Sequence, residues 1–210
     1  AVQAGGLDKV VNVAGGFMSW NGERLLSFPN VKPFAAAETV GETLRVALDL
    51  EKGAERFYTA LTDYVAGTSL EPTIRGLAGA EEAHGRAIYA AMQETSAAPL
   101  DPFETLYENL AGELLEDGRD YEEAIRRAEA ILDRFGDRAL LELALELEFR
   151  SYDLYRQLAH DSSQPAHREL FLDLASQEKR HLESVFRVFG KLTVSSGCSA
   201  VWRGGGGYRC

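Results

Sequence analysis

The stretch ALDLEKGAERFY at residues 47–58 decides the fold, because it returns 97 positions later as ALELEFRSYDLY at residues 144–155. A second stretch, LAGAEEAH at residues 77–84, returns at the same offset as LASQEKRH at residues 174–181. One Glu-x-x-His match on a Glu-rich helix would be weak evidence. Two matched stretches at a single offset indicate a duplicated unit.

Each copy carries two glutamates and one histidine at corresponding positions. The six residues are Glu51, Glu81, His84, Glu148, Glu178 and His181. Four carboxylates and two imidazoles in this order form the usual ligand set of a carboxylate-bridged two-metal site in a four-helix bundle. The other histidines, His160 and His167, have glutamine at the i−3 position and do not fit the motif.

The 30 residues that separate the two glutamates of each copy predict a helical hairpin. The first midpoint, Ala66, comes just before a Gly-to-Pro turn signature at residues 67–72, and the second, Ser163, comes just before Pro165. Each helix then runs about 15 residues to the turn and about 15 back, roughly 22 Å each way. This return brings both glutamates to one level, with the histidine one turn along the same face.

The glutamates that open each copy lie within apolar stripes spaced by three and four residues, as Glu51 does between Leu48 and Ala54. A carboxylate on such a stripe is costly unless it is paired or bound to a metal. Four of them in one core would repel each other unless a cation compensates. The alternative is that these are surface glutamates on charged helices, as most of the 33 acidic residues must be.

Composition limits the classes of function. A net charge of −11 argues against binding to nucleic acid or to anionic membrane surfaces, and no run of 18 apolar residues could span a bilayer. No secretory signal is visible, so we expect a cytoplasmic protein. Cys198 and Cys210 cannot form a Cys-x-x-Cys metal knuckle and are expected to be free thiols or a disulfide in the tail.

The chain divides into three predicted segments: 1–35, 36–190 and 191–210. The first is rich in Gly and Val and is expected to be non-helical, with one short strand. The second holds both hairpins and a connection at about residues 97–136, which includes a helical stretch at Tyr121–Phe135. Because this connection is long enough to cross the bundle, we predict an all-α, ferritin-like four-helix bundle made of two duplicated antiparallel hairpins. The third segment is a Gly-rich tail, expected to pack poorly.

Residues 37–189 resemble the di-iron domain of the rubrerythrin and bacterioferritin group, with all six ligand positions matched. The resemblance implies that two glutamates bridge the metals, namely Glu81 and Glu178. It also implies that each metal takes one further glutamate and one histidine, in the pairs Glu51 with His84 and Glu148 with His181.

Tyr58 and Tyr155 follow Glu51 and Glu148 by two helical turns. They are similar to the tyrosines of that group that hydrogen-bond ligand carboxylates. The alternative for each is ordinary core packing.

Two features depart from typical rubrerythrins. Those proteins carry another glutamate one turn after the third-helix ligand, whereas this chain has Ser151 there and Ala54 at the repeated position. Neither residue can coordinate as a carboxylate, so the site is closer to the six-ligand form of bacterioferritin. The sequence also lacks a rubredoxin-like pair of Cys-x-x-Cys motifs. Electrons would therefore come from a separate protein.

Residues 4–20 resemble the closing strand and the Gly-Gly-x-x-x-Trp turn of a rhodanese-like domain. The resemblance implies that residues 1–35 are the remnant of such a domain in a fusion protein. The catalytic cysteine loop of a rhodanese would lie upstream, so we expect no sulfurtransferase activity from these residues. The alternative is an arbitrary Gly-rich leader.

The expected function is that of a non-haem di-iron oxidoreductase, an enzyme that reduces peroxide or O2 or oxidises Fe(II). The expected cofactor is two iron ions, with manganese or zinc as alternatives. The expected partners are H2O2, O2 or Fe(II) as substrate, an external electron-donor protein, and a second copy in a homodimer. The alternatives are a ferritin-like iron store or scavenger, and a metal-stabilised module of a rhodanese fusion.

Overall fold

The computed structural model describes residues 29–195, in which all regular structure is helical. Six α-helices lie within the described residues, namely α1 (Val40–Tyr64), α2 (Glu71–Thr95), α3 (Phe103–Glu108), α4 (Tyr121–Phe135), α5 (Asp137–Asp161) and α6 (Pro165–Ser195). A 3-10 turn at Lys32–Phe34 precedes them, within the segment expected to be non-helical. The predicted all-α class is confirmed. The predicted strand, the rhodanese-like segment and both cysteines lie outside the described residues.

The first hairpin begins at a capping box and reverses where the sequence predicts a turn. Thr39 accepts a hydrogen bond from the backbone N–H of Glu42, and the Glu42 carboxylate accepts one from the backbone N–H of Thr39. After α1 ends, Gly67 adopts a positive φ of 75°, a conformation that favours glycine. Pro72 then lies in the first turn of α2, where a missing N–H costs nothing.

The second hairpin, α5 and α6, starts after Gly136, whose φ is 71°. It reverses between Asp161 and Pro165, at the predicted turn. The last helix continues to Ser195, beyond the predicted start of the tail at 191. The sequence holds neither glycine nor proline from 191 to 196, so nothing there interrupts the helix.

The core consists of two apolar clusters, separated by one polar layer. Along α1 the first cluster includes Leu44 and Leu50, and the second begins at Phe57. On α5 the order is reversed, with Leu147 in the second cluster and Leu154 in the first. On all four long helices the predicted ligand positions fall in the gap between the clusters. The apolar side chains therefore cover this layer above and below.

The two helices of the crossover between the hairpins pack on the outside of the bundle. Helix α3 contacts α1 and α2, and α4 contacts α1 and α5, as expected for helices that lie on an outer face. Between α3 and α4 the chain forms a tight turn closed by an antiparallel bridge from Leu114 to Asp120. Among residues 29–195, no helix is both long and apolar enough to cross a membrane.

Candidate metal centre

The structure brings the six predicted ligands together in the polar layer. Helices α1 and α5 contribute one glutamate each, and α2 and α6 each contribute the glutamate and histidine of a Glu-x-x-His motif. Possible ligand atoms lie within 4.8 Å of one another in three overlapping groups: Glu51 with Glu81 and His84; Glu81 with Glu148, Glu178 and His181; and His84 with Glu178 and His181. Glu81, His84, Glu178 and His181 each belong to two of these groups, so the three groups form one continuous cluster.

Burial excludes the surface-glutamate alternative. All four glutamates and His84 are at most 1% exposed, whereas the side chain of His181 is 17% exposed. The two halves of the centre therefore differ in their access to solvent.

The distances show that each histidine is surrounded by carboxylates. His84 Nδ1 lies 2.9 Å from Glu178 Oε1, 3.0 Å from Glu81 Oε2 and 3.4 Å from Glu51 Oε2. His181 Nδ1 lies 3.1 Å from Glu148 Oε2 and 3.2 Å from Glu178 Oε2. The two imidazole rings stack with their centroids 5.2 Å apart. Glu178 thus contacts both histidines.

Two buried tyrosines form hydrogen bonds between the two hairpins. The Tyr58 hydroxyl on α1 donates to Glu148 Oε1 on α5, and the Tyr155 hydroxyl on α5 donates to Glu51 Oε1 on α1. In each pair the second carboxylate oxygen faces the histidine of its own half. Burial raises the pKa of both phenols well above the ordinary value, so they stay protonated as donors. Each tyrosine fixes one oxygen and leaves the other for a metal.

The carboxylates and imidazoles of this layer shift one another's pKa values. Burial lowers the pKa of each histidine, but the surrounding carboxylates more than reverse this effect. They raise the pKa of His181 to about 10 and that of His84 well above its ordinary value. Burial, and then the charge of Glu178, raises the pKa of Glu81 well above its usual range. Protons on these groups occupy the role that cations would otherwise take.

The side chains present fit a pair of metal ions. Several buried atoms make no hydrogen bond within the described residues, namely Glu51 Oε2, both oxygens of Glu81, both ring nitrogens of His84 and Glu178 Oε1. Some of them lie at ion-pair distance but are not aligned as hydrogen bonds. Leaving a buried polar atom unsatisfied costs about 1–3 kcal/mol. Carboxylate oxygen and imidazole nitrogen are ligands that first-row transition metals accept, so bound ions would satisfy these atoms.

A fifth buried carboxylate, which the sequence does not single out, belongs to the same region. Glu116, in the crossover turn, is 1% exposed, and its Oε2 accepts a hydrogen bond of 2.6 Å from Ser151 Oγ. Burial, followed by the charges of Glu51, Glu81 and Glu178, raises the pKa of Glu116 well above its usual range. Position 151 therefore has no carboxylate of its own, but the crossover turn places the carboxylate of Glu116 beside it.

One residue of the sequence indicates that the crossover lies close to α1. Gly53 lies in the middle of α1, where glycine is unfavourable. An added Cβ there would lie 2.0 Å from the carbonyl oxygen of Leu114. The glycine therefore marks a close backbone contact. Nothing in the sequence says which of the seven glutamates between residues 97 and 136 enters the core.

Comparison with known proteins gives a family match over the second hairpin. The rubrerythrin family model matches residues 139–201, a range that includes Glu148, Glu178 and His181. This match confirms the rubrerythrin resemblance for α5 and α6 and agrees with a ferritin-like di-iron domain. Neither the curated proteins nor the solved structures contain a significant match to the chain. The rhodanese-like resemblance stays a prediction.

Proposed function

We propose that the bundle is a non-haem di-iron oxidoreductase of the rubrerythrin type, with peroxide or O2 as the oxidant. The observation that supports this proposal is the buried layer of four glutamates and two histidines, with ligand atoms that make no hydrogen bond within residues 29–195. Surface acidic clusters do not require apolar layers on both sides. A buried redox centre does, because water must be kept away from its reactive atoms.

The charges of the layer support two divalent ions. Four carboxylates carry four negative charges, which two divalent cations balance, so the loaded core would be close to neutral. The six residues of the layer would hold these ions, and the resemblance to the rubrerythrin group implies that Glu81 and Glu178 would bind both of them. Bound iron would supply the two electrons that, with two protons, convert one H2O2 into two waters. Manganese and zinc accept the same ligand set, so the choice of iron is part of the proposal.

The protein's own residues orient the ligands and control access. Tyr58 and Tyr155 hold Glu148 and Glu51 by one oxygen each, so the position of each carboxylate is set before a metal arrives. The apolar clusters close the layer above and below. The partly exposed edge of His181 is where a small oxidant such as H2O2 would approach.

Metal content and turnover test the proposal together. We expect two irons per purified chain and loss of at least tenfold in peroxide turnover for Glu81→Ala. Glu82→Ala is the matched control, since Glu82 is the next residue on the same helix and its side chain is 48% exposed. One iron or fewer per chain, or an unchanged turnover in Glu81→Ala, would refute the proposal.

Electrons would come from a separate donor protein, and the working unit would be a homodimer. Size-exclusion chromatography of the loaded protein tests the second point. A dimer is the expected result. A shell of 24 subunits that takes up many irons per chain would instead favour the alternative function, iron storage.

A further inference from the structure

Glu116 lies in a crossover turn that is buried against the bundle. The turn is closed by hydrogen bonds from the Leu115 N–H to the Arg119 carbonyl, at 2.9 Å, and from the Gly118 N–H to the Leu115 carbonyl, at 2.7 Å. Leu115, Glu116 and Asp117 are all buried. A connection rarely buries two consecutive acids, since charge in a core must be compensated.

The neighbouring acid, Asp117, is compensated in a way that fixes the turn. Arg119 Nη2 lies 2.8 Å from Asp117 Oδ2 and 3.1 Å from Glu146 Oε1 on α5. The close approach of Leu114 to Gly53 holds the other side of the turn against α1. The turn is therefore held against both hairpins by contacts other than those of Glu116.

Glu116 itself is compensated only in part. Its Oε2 accepts from the neutral hydroxyl of Ser151, while its Oε1 is buried and has no hydrogen-bond partner among residues 29–195. Ser151 follows the predicted ligand Glu148 by three residues, so it lies one turn along the same face of α5. The unsatisfied oxygen of Glu116 thus lies beside the metal centre.

Ser151 can release Glu116 without losing a hydrogen bond. Its hydroxyl has one proton and two acceptors in reach, Glu116 Oε2 at 2.6 Å and its own helix carbonyl at Leu147, at 3.1 Å. If the proton turns to Leu147, the Glu116 carboxylate is free to move. The carboxylate must move to coordinate, because its oxygens are outside the three groups of ligand atoms that lie within 4.8 Å of one another.

We propose that Glu116 is a fifth carboxylate ligand of the metal centre, supplied by the crossover turn and held by Ser151 until a metal binds. This inference rests on the proposed two-metal site. It gives the centre one more negative charge than two divalent ions require. It also makes the site asymmetric, since the repeated position of Ser151 is Ala54, which has no hydroxyl to hold a carboxylate.

Metal binding to two variants tests this role independently of turnover. Glu116→Gln keeps the size of the side chain and its contact with Ser151 but removes the charged ligand. With Co(II) as the probe, we expect this variant to lose roughly 10- to 100-fold in affinity for one of the two ions and to show a changed Co(II) absorption spectrum. Ser151→Ala removes the competing hydrogen bond and should raise the affinity a few-fold. Glu113→Gln, an exposed glutamate of the same crossover, is the control and should change neither quantity.

The outcomes separate this inference from the function on which it rests. If wild-type protein binds two Co(II) ions while Glu116→Gln binds them with the same affinity and spectrum, Glu116 is not a ligand and the six-ligand site stands. If Glu116→Gln and Ser151→Ala lower the melting temperature without altering metal binding, Glu116 has a structural role only. If the wild-type chain itself binds fewer than two ions, the proposed function fails first.

Discussion

Gly53 allows the position of the crossover to be tested by one methyl group. An ideal Cβ at this position would lie 2.0 Å from the carbonyl oxygen of Leu114 and 2.8 Å from its carbonyl carbon. Real Cβ contacts are essentially never shorter than 3.0 Å, so Gly53→Ala must move the crossover backbone away from α1 by about 1 Å. Glu116 is two residues from Leu114, and the same shift would pull its carboxylate away from Ser151.

The expected loss of stability follows from two opposing effects. Forcing a methyl into a packed site costs about 1–3 kcal/mol, and the obstacle here is backbone, which cannot turn aside as a side chain can. Alanine in a helix interior is better than glycine by about 1 kcal/mol. Because the obstacle is backbone, we expect a cost in the upper part of that range, about 2–3 kcal/mol, so the net loss for Gly53→Ala should be about 1–2 kcal/mol.

Gly79→Ala is the matched control, because Gly79 is an exposed glycine inside α2 and a Cβ there would meet nothing within 4 Å. This variant should be more stable than wild type by about 0.5–1 kcal/mol. Urea unfolding of the metal-free proteins, followed by circular dichroism, measures both changes as shifts of the midpoint at constant slope. The close packing of the crossover on α1 would be refuted if Gly53→Ala unfolded at the same or a higher urea concentration than wild type.

Two further predictions concern the centre itself. Tyr155→Phe removes the hydroxyl that donates to Glu51, and it should lower metal affinity roughly tenfold in a metal titration. Tyr152→Phe, on the same helix, is the control and should leave the metal affinity unchanged. Equal losses of affinity in both variants would contradict the role of Tyr155. Metal uptake should release protons, because the pKa of His181 is raised to about 10 and that of His84 is also raised, while a metal needs both imidazoles neutral. The apparent affinity for metal should therefore rise between pH 6 and pH 9. Calorimetry in two buffers of different ionisation enthalpy counts the protons that are released. A metal affinity that stays flat or falls as the pH rises would contradict the expected proton release.

The sequence predicts the bundle well because its decisive signals are local. Periodicity, the turn signatures near Ala66 and Ser163, and the duplicated Glu-x-x-His motif all depend on neighbouring residues along one helix. The helical stretch predicted at Tyr121–Phe135 agrees with α4 for the same reason. The convergence of the six side chains follows once each hairpin returns on itself, since equal arms bring the two glutamates of a copy to the same level.

The crossover turn could not be predicted in the same way. Glu116 reaches the core through a backbone contact between Leu114 and Gly53, residues 61 positions apart, and no local pattern encodes such a contact. Ser151, the hydrogen-bond partner of Glu116, shows in the sequence only that position 151 has no carboxylate. The hydrogen bonds from Tyr58 and Tyr155 to the opposite hairpin could be predicted only in part. Each tyrosine follows a glutamate of its own helix by seven residues, but only the placement of α1 opposite α5 decides which glutamate it reaches.

Duplication alone would make the two halves of the cluster equivalent, and the structure shows three ways in which they differ. His84 is 1% exposed while His181 is 17% exposed, so solvent reaches one half of the centre. The hydroxyl of Ser151 holds Glu116, whereas Ala54 holds nothing. The crossover packs its turn beside α1 at Gly53, a residue whose repeated position is Arg150. Because the connection exists only once, it must contact the two copies differently. A repeated ligand set joined by a single crossover therefore produces a chemically asymmetric centre, even where all six repeated ligands are retained.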